Sequence, residues 1–421
     1  MKISIPILLL ILFNVQLFAQ DYWQKINTPD SLQLSDVMVD EQGSIFICSW
    51  NTYGKGGVYR SDDNGSSWTI KNSGFLYPPY TSILSLAKDD KNTIYAGGQG
   101  WIYKSLDHGE SWINVNPAKN YCNNIIVIRC GYDSIILAGG GNMDGIVRSG
   151  DNGMTWKTVF DISHDGWYEE VTDIQFGPTG VIYASTRITW ANEPGMLYAS
   201  YDQGRTWQVF CEASYPMALG FDNEGRLLRG EFGLGLYRYD FNTFQWEHIL
   251  YNGSSPRSIL IVPDGKIFLA CDYQPNYFGG VMLSTNGGTT FNFINSGFGL
   301  SDNATELSVD QLGRVLVLNG WLFRSYDTIF NNLKDITTND FQLWAYPSPF
   351  HTLITFKFPW WDMRDSESKI LIFNSTGQLI HQAKVSNRQE YIWDGSNYPA
   401  GIYIFKFINS KSTSTIKVLH Y

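Results

Sequence analysis

GVYRSDDNGSSWTI, residues 57–70, carries Ser61-x-Asp63-x-Gly65-x-Ser67-Trp68 between two strand-like stretches. The hydroxyls and the carboxylate can bond backbone groups inside a tight turn, Gly65 supplies the turn conformation, and Trp68 packs its ring under the hairpin. The pattern returns at Ser105-x-Asp107-x-Gly109-x-Ser111-Trp112, Ser149-x-Asp151-x-Gly153-x-Thr155-Trp156 and Ser200-x-Asp202-x-Gly204-x-Thr206-Trp207. Softer copies follow. Residues 239–246 keep Trp246, Ser284-x-Asn286-x-Gly288-x-Thr290-Phe291 keeps the shape, and Ser325-x-Asp327 keeps the start. The copies begin at 61, 105, 149, 200, 239, 284 and 325. A period of about 40–45 residues with four short strands per unit predicts the blade of a β-propeller, and seven copies predict seven blades.

Each unit reads alike. An apolar alternating strand A, such as LSDVMVD, runs into a turn such as Asp40-Glu41-Gln42-Gly43 or Asp310-Gln311-Leu312-Gly313. Strand B (SIFICSW, TIYAGG), strand C (GVYRS, WIYKS), the repeated turn and strand D follow. DYWQKI, residues 21–26, looks like a strand D with no A, B and C before it, while the last unit has a worn turn and a poor strand D. The N-terminal strand is therefore expected to supply the outer strand of the seventh blade and close the ring, which removes an open edge.

The motif resembles the Asp-box, or bacterial neuraminidase repeat, of the sialidase/sortilin/xyloglucanase-like superfamily. That resemblance implies a secreted propeller but not an activity. Sialidases carry an Arg-Ile-Pro signature that this chain lacks, and have six blades. Xyloglucanase-type enzymes pair two propellers around a cleft, and this chain has room for one. Single seven-bladed relatives resemble the photosystem II assembly factor group and sortilin-type receptors, which bind proteins or peptides.

Composition agrees with an all-β exported chain: 421 residues, 15% aromatic, 17% charged and 40 Gly. The net charge of −10 excludes a nucleic-acid or anionic-membrane partner, since no basic stripe is present to neutralise phosphates. Residues 1–20 read as a signal peptide: Lys2, an apolar run from Ile3 to Phe18, then Ala19-Gln20. No other segment approaches the length of a membrane helix, so no transmembrane anchor is expected in the mature chain. Cys48, Cys122, Cys130, Cys211 and Cys271 are an odd number, leaving at least one thiol unpaired within the chain; a Cys122–Cys130 bridge is one arrangement the spacing allows. Cys48, Cys130 and Cys271 lie in strand-like runs and read as small core residues. No Cys/His spacing suits a metal, and no cofactor is implied.

The propeller is expected over residues 21–336 and a linker over 337–344. Residues 345–421 contain Tyr346-Pro347-Ser348-Pro349-Phe350, KILIFNSTGQLI, Trp393-Asp394-Gly395 and Pro399-Ala400-Gly401-Ile402-Tyr403. These motifs resemble the type A C-terminal sorting domain of type IX secretion cargo in the Bacteroidetes, with Ser348 where that family usually has Asn. The resemblance implies an Ig-like β-sandwich, the secretion machinery as a partner, and a secreted or outer-surface location.

Chemistry is expected on the face formed by the B–C and D–A loops, because the repeated turns occupy the other. Arg60, Arg148, Arg238 and Arg324 recur just before the repeated turn and read as scaffold. The variable loops bring Trp50, Tyr53, Trp167, Tyr168, Trp190, Tyr277 and Trp321, and the strand ends bring Arg187, Arg229 and Arg257. Rings beside carboxylates suit stacking on a pyranose, and three arginines could clamp a carboxylate. A polysaccharide or a surface protein is the expected ligand. The rival expectation is a glycoside hydrolase or lyase, whose carboxylate pair would come from Asp165, Glu169, Glu193, Glu231 and Asp272.

Overall fold

A computed structural model describes residues 21–420 apart from 51–53, 78–80, 117–123, 132–133, 142–144, 162–168, 189–193, 273–278, 299–302, 329–343, 347–351, 358–367, 375–377, 386–389, 400 and 409–412. The leader at 1–20, Cys122 and the Pro347-Ser348-Pro349 motif lie outside the described residues.

The chain forms a seven-bladed β-propeller followed by a small β-sandwich. The first blade runs, from channel to rim, Leu34–Val39, Ile45–Ser49, Gly57–Ser61 and Thr69–Ile70. Five more four-stranded antiparallel sheets repeat this order, with inner strands beginning at Ile83, Asn124, Glu169, Pro216 and Ser255. The seventh uses Glu306–Val309, Arg314–Leu318 and Leu322–Thr328, and takes its outer strand, Trp23–Ile26, from the start of the chain. Trp23 pairs with Ser325 and Ile26 with Leu322, so the ring is closed as expected.

Both faces of each sheet are covered by neighbouring blades, which is why strand B reads as an unbroken apolar run. Ile45–Ser49 is buried at every position. Phe46 and Cys48 of blade 1 pack with Ile83, Ile94, Ala96, Tyr103 and Trp112 of blade 2. The fit leaves no room to spare: a Cβ on Gly97 would lie 2.3 Å from the Ile125 side chain of blade 3. Among the described cysteines, Cys48 and Cys271 are fully buried core residues, while Cys130 and Cys211 are half-buried; all four are free thiols.

The repeated turn is held by its own side chains. Ser61 Oγ accepts from Gly65 N and donates to Asp63 Oδ1, both at 2.8 Å. Asp63 in turn accepts from Ser67 N (2.8 Å) and Ser67 Oγ (2.6 Å). Blades 2, 3 and 4 repeat these bonds around Asp107, Asp151 and Asp202. In blade 6, Asn286 does the same work, accepting from Thr290 N and donating to Thr290 Oγ1.

The tryptophan of the turn differs from expectation. In blades 1 and 2, rather than serving only its own hairpin, it reaches the residue just after the outer strand of the preceding blade: Trp112 Nε1 donates to Lys71 O (2.7 Å) and Trp68 Nε1 to Asn27 O (2.8 Å), whereas Nε1 of Trp156 and of Trp207 is buried without such a bond. A basic residue just before the turn works in the opposite direction. Arg60 donates to His108 O, Lys104 to Asn152 O, Arg148 to Gln203 O, Arg238 to Gly287 O and Arg324 to Asn64 O. Every acceptor residue has a positive φ, between 55° and 64°, which turns its carbonyl toward the neighbouring blade. Five of the seven blade junctions carry this tie, the seventh-to-first included.

These bonds are sensitive to acid. The Ser67 hydroxyl and N–H hold the Asp63 carboxyl at about 2. At Asp151 partial burial works against ionisation, but the Thr155 and Ser149 bonds outweigh it and give about 2. A depressed carboxyl contributes stability that is complete above its unfolded value, about 3.9, and is lost as pH falls toward the folded value. The thermal midpoint should therefore drop between pH 4 and pH 2. An Asp151→Asn variant, built like the natural Asn286, should drop less; an equal drop would mean that the turn carboxylates do not govern the transition.

The C-terminal sandwich faces the sheet Trp344–Tyr346, Leu353–Lys357 and Glu390–Asp394 against Leu379–Lys384, Lys369–Asn374, Gly401–Ile408 and Thr413–His420. Ile354, Phe356, Ile370, Ile372, Trp393 and Phe405 form its core.

Candidate functional site

In every blade the inner strand starts at the end of the propeller where the B–C and D–A loops lie, and runs toward the repeated turns. On the loop face the described rings most open to solvent are Tyr251 (81% exposed), Tyr77 (65%), Trp321 (45%), Trp50 (41%) and Phe232 (40%). Lys25 Nζ sits 3.4 Å from the Trp321 ring centroid and covers one side of it. Tyr53, Asp165, Trp167, Tyr168, Trp190, Glu193 and Tyr277 lie outside the described residues.

The three arginines each have a partner in their own blade. Arg187 Nη2 lies 2.6 Å from Glu170 Oε2 on the paired strand. Arg257 Nη1 lies 2.6 Å from Asp272 Oδ2. Arg229 is 6% exposed and Glu231 1%; their Nη2–Oε1 contact of 2.7 Å is ionic rather than an aligned hydrogen bond. The Arg229 guanidinium also lies 4.1 Å from the Trp246 ring centroid. Glu169 is buried and accepts from Thr186 Oγ1. The described acids put forward as a hydrolytic pair, Glu169, Glu231 and Asp272, are thus each engaged within the scaffold.

Two features are not evident from the loops alone. One is a ring ladder on blade 5, where Tyr237 stacks on His248 (4.1 Å, 9°) and the exposed Tyr251 meets His248 edge-on (4.9 Å, 89°). The other is the channel, a cavity of about 430 Å³ lined by the inner strands of all seven blades. A register shift near the start of the inner strand in blades 1 to 6 turns the next residue toward its neighbour. Where that residue is polar it binds the next blade's backbone. Asp36 accepts from Leu86 N (2.7 Å), Ser85 from Ile128 N (3.2 Å), Asp173 from Leu219 N (2.9 Å) and Ser258 from Leu307 N (3.2 Å).

The seventh equivalent is Glu306, whose carboxylate accepts from Ser258 Oγ (2.9 Å). Arg129 reaches across to Asp173 (2.9 Å). Burial is the largest influence on Glu306, and with the neighbouring Asp36 charge it pushes the carboxyl up to about 8 despite Arg129. Burial also raises Asp36. The signal in the sequence was an acid at the same register position of strand A in LSDVMV, EEVTDIQF and ELSV.

Residues 344–420 match the family model of the secretion system C-terminal sorting domain. The C-terminal sandwich is a sorting domain. It marks the chain for the type IX route and for a secreted or cell-surface location. Within the sorting domain, Trp393 packs against Phe405 at 5.3 Å, and Tyr403 Oη bonds Pro399 O at 2.6 Å. Among solved structures the chain is similar to PorZ, a surface component of the type IX secretion system of Porphyromonas gingivalis: 13% identity, TM-score 0.54, covering 96% of this chain and 60% of PorZ. It is also similar to YCF48 bound to a D1 peptide (16%, TM-score 0.58, 73% of this chain and 98% of that one). A xyloglucanase from Xanthomonas campestris is similar over 71% of this chain and 52% of its own length (15%, TM-score 0.52). At these identities the likenesses establish the propeller fold alone. No curated protein sequence matches the chain.

Proposed function

We propose that this chain is an exported propeller that binds a polysaccharide or a surface protein on the face formed by its B–C and D–A loops, and that it does so without cleaving it. The observation that carries the reading is the set of exposed rings on that face, Trp50 and Trp321 among them. Large rings presented by loops on a rigid frame offer contact area at low entropic cost, and such rings dominate binding energies. The engagement of Glu169, Glu231 and Asp272 within the scaffold favours binding over hydrolysis. The YCF48 likeness supports a peptide-type ligand, and the xyloglucanase likeness a glycan.

A glycan array and a capture assay on cell-envelope proteins, run alongside a reducing-end release assay, test this. The expected result is binding without release of reducing ends, weakened about tenfold or more in Trp50→Ala/Trp321→Ala. Release of reducing ends, or binding untouched by the double substitution, would overturn it.

A further inference from the structure

Glu306 departs from a rule that its equivalents keep. Asp36, Ser85, Asp173 and Ser258 each bond the inner strand of the following blade. For Glu306 the corresponding donor is Val37 N, and that N–H is already taken by Asp36 Oδ1 at 2.7 Å. Glu306 therefore makes no such bond to the following blade and meets only Ser258 of the blade before it. Its carboxylate is left in the channel with a single hydroxyl partner.

The charges around it do not balance. Asp36, Asp173 and Glu306 face the channel, and of the cations lining it Arg129 is bound to Asp173, Arg257 lies 2.6 Å from Asp272, and Lys88 is 3.8 Å from Glu41. Arg129 is thus shared among three carboxylates, and a partly buried carboxylate in excess of its counter-charge either keeps its proton or acquires a cation. The cavity of about 430 Å³ has room for one, and Arg129 already demonstrates that a guanidinium fits among these strands.

We propose that the propeller channel is a binding site for one organic cation, an alkylammonium or guanidinium group, held by Glu306 and Asp36. A metal ion is the poorer fit: among the described residues no three His, Cys, Asp or Glu side chains are grouped to hold one. Ser258 and Ser308 line the same space; a hydroxyl oxygen has two lone pairs, so Ser308 and the lone pair that Leu307 N leaves on Ser258 can accept the remaining N–H groups of such a ligand. The net charge of −10 favours a cationic ligand at long range as well.

The test is calorimetric titration of the full chain with butylammonium and butylguanidinium, with 1-pentanol as the uncharged probe and calcium as the metal probe. Saturable one-to-one binding of a cation and none of pentanol or calcium is expected. Because the cation displaces the Glu306 proton, affinity should rise about tenfold per pH unit between pH 6 and 8 and level off above. Glu306→Gln, nearly isosteric, should lower affinity at pH 8 at least tenfold and flatten the pH dependence.

Absence of saturable binding by either organic cation, a flat pH profile in the native chain, calcium in place of the organic cation, or unchanged affinity in a folded Glu306→Gln chain would each overturn the proposal. The native pH profile decides the matter even if that variant does not fold. The site is separate from the rim, so Trp50→Ala/Trp321→Ala should leave cation binding unchanged. Failure of the rim reading and failure of this one are thereby distinguishable.

Discussion

Trp23→Ala is expected to destabilise the propeller by about 3–5 kcal/mol, the cost of emptying a large aromatic site in a well-packed core. Trp23 is 1% exposed and lies with Val262, Phe268, Phe298 and Phe323 in the cluster joining blades 6 and 7. Its ring stacks on Phe298 at 5.2 Å, and its Nε1 donates to Ile294 O. The substitution attacks the one blade assembled from distant parts of the chain, so the outer strand should detach and bare the edge of Leu322–Thr328. Urea unfolding followed by tryptophan fluorescence and circular dichroism measures the loss. Trp23→Phe, which keeps most of the packing, should cost far less. An unchanged midpoint in Trp23→Ala would show that closure does not depend on this strand.

Glu231→Ala should be comparably damaging, for an electrostatic reason. It would leave the Arg229 guanidinium buried beside Trp246 with no carboxylate to balance it. Breaking a buried pair from one side costs about 3–5 kcal/mol, whereas replacing both partners by apolar groups of similar size is often close to neutral. Arg229→Met/Glu231→Leu should accordingly recover most of the stability lost in Glu231→Ala. If the double variant is as unstable as the single one, the bonds of Arg229 to Cys211 Sγ and Glu212 O rather than the charge balance of the pair hold this blade.

The blades were legible because each repeated turn satisfies itself with residues close in sequence. Ser61, Asp63 and Ser67 make their bonds within one turn, so the spacing alone announces them. The partner of Arg229 was nearly as accessible. In a strand, residues two apart share a face, and Glu231 stands two positions on. Arg187 and Glu170 meet across a strand pair, which requires the register of that blade. The channel was least legible. Asp36, Arg129, Asp173 and Glu306 come from four blades and meet only when the ring closes; in sequence each is a single polar residue in an alternating strand. The aromatic loops named their blades but not their surroundings, since Lys25 over Trp321 joins residues nearly three hundred positions apart.

The seventh blade is divided. Ser325 and Tyr326, which continue the strand Leu322–Thr328, meet Tyr22 and Trp23 from far earlier in the chain, and Tyr326 N bonds Tyr22 O at 3.0 Å to join the halves. The strand Trp23–Ile26 is thus among the last to find its place, because its partner is made some three hundred residues later. Such long-range pairing is slow, and until it forms the propeller is an unlatched ribbon of six complete blades with a free end. The sorting domain follows shortly after Asp327. Export signal and final latch therefore emerge almost together, so the chain becomes addressable to its secretion machinery at about the moment it can lock shut.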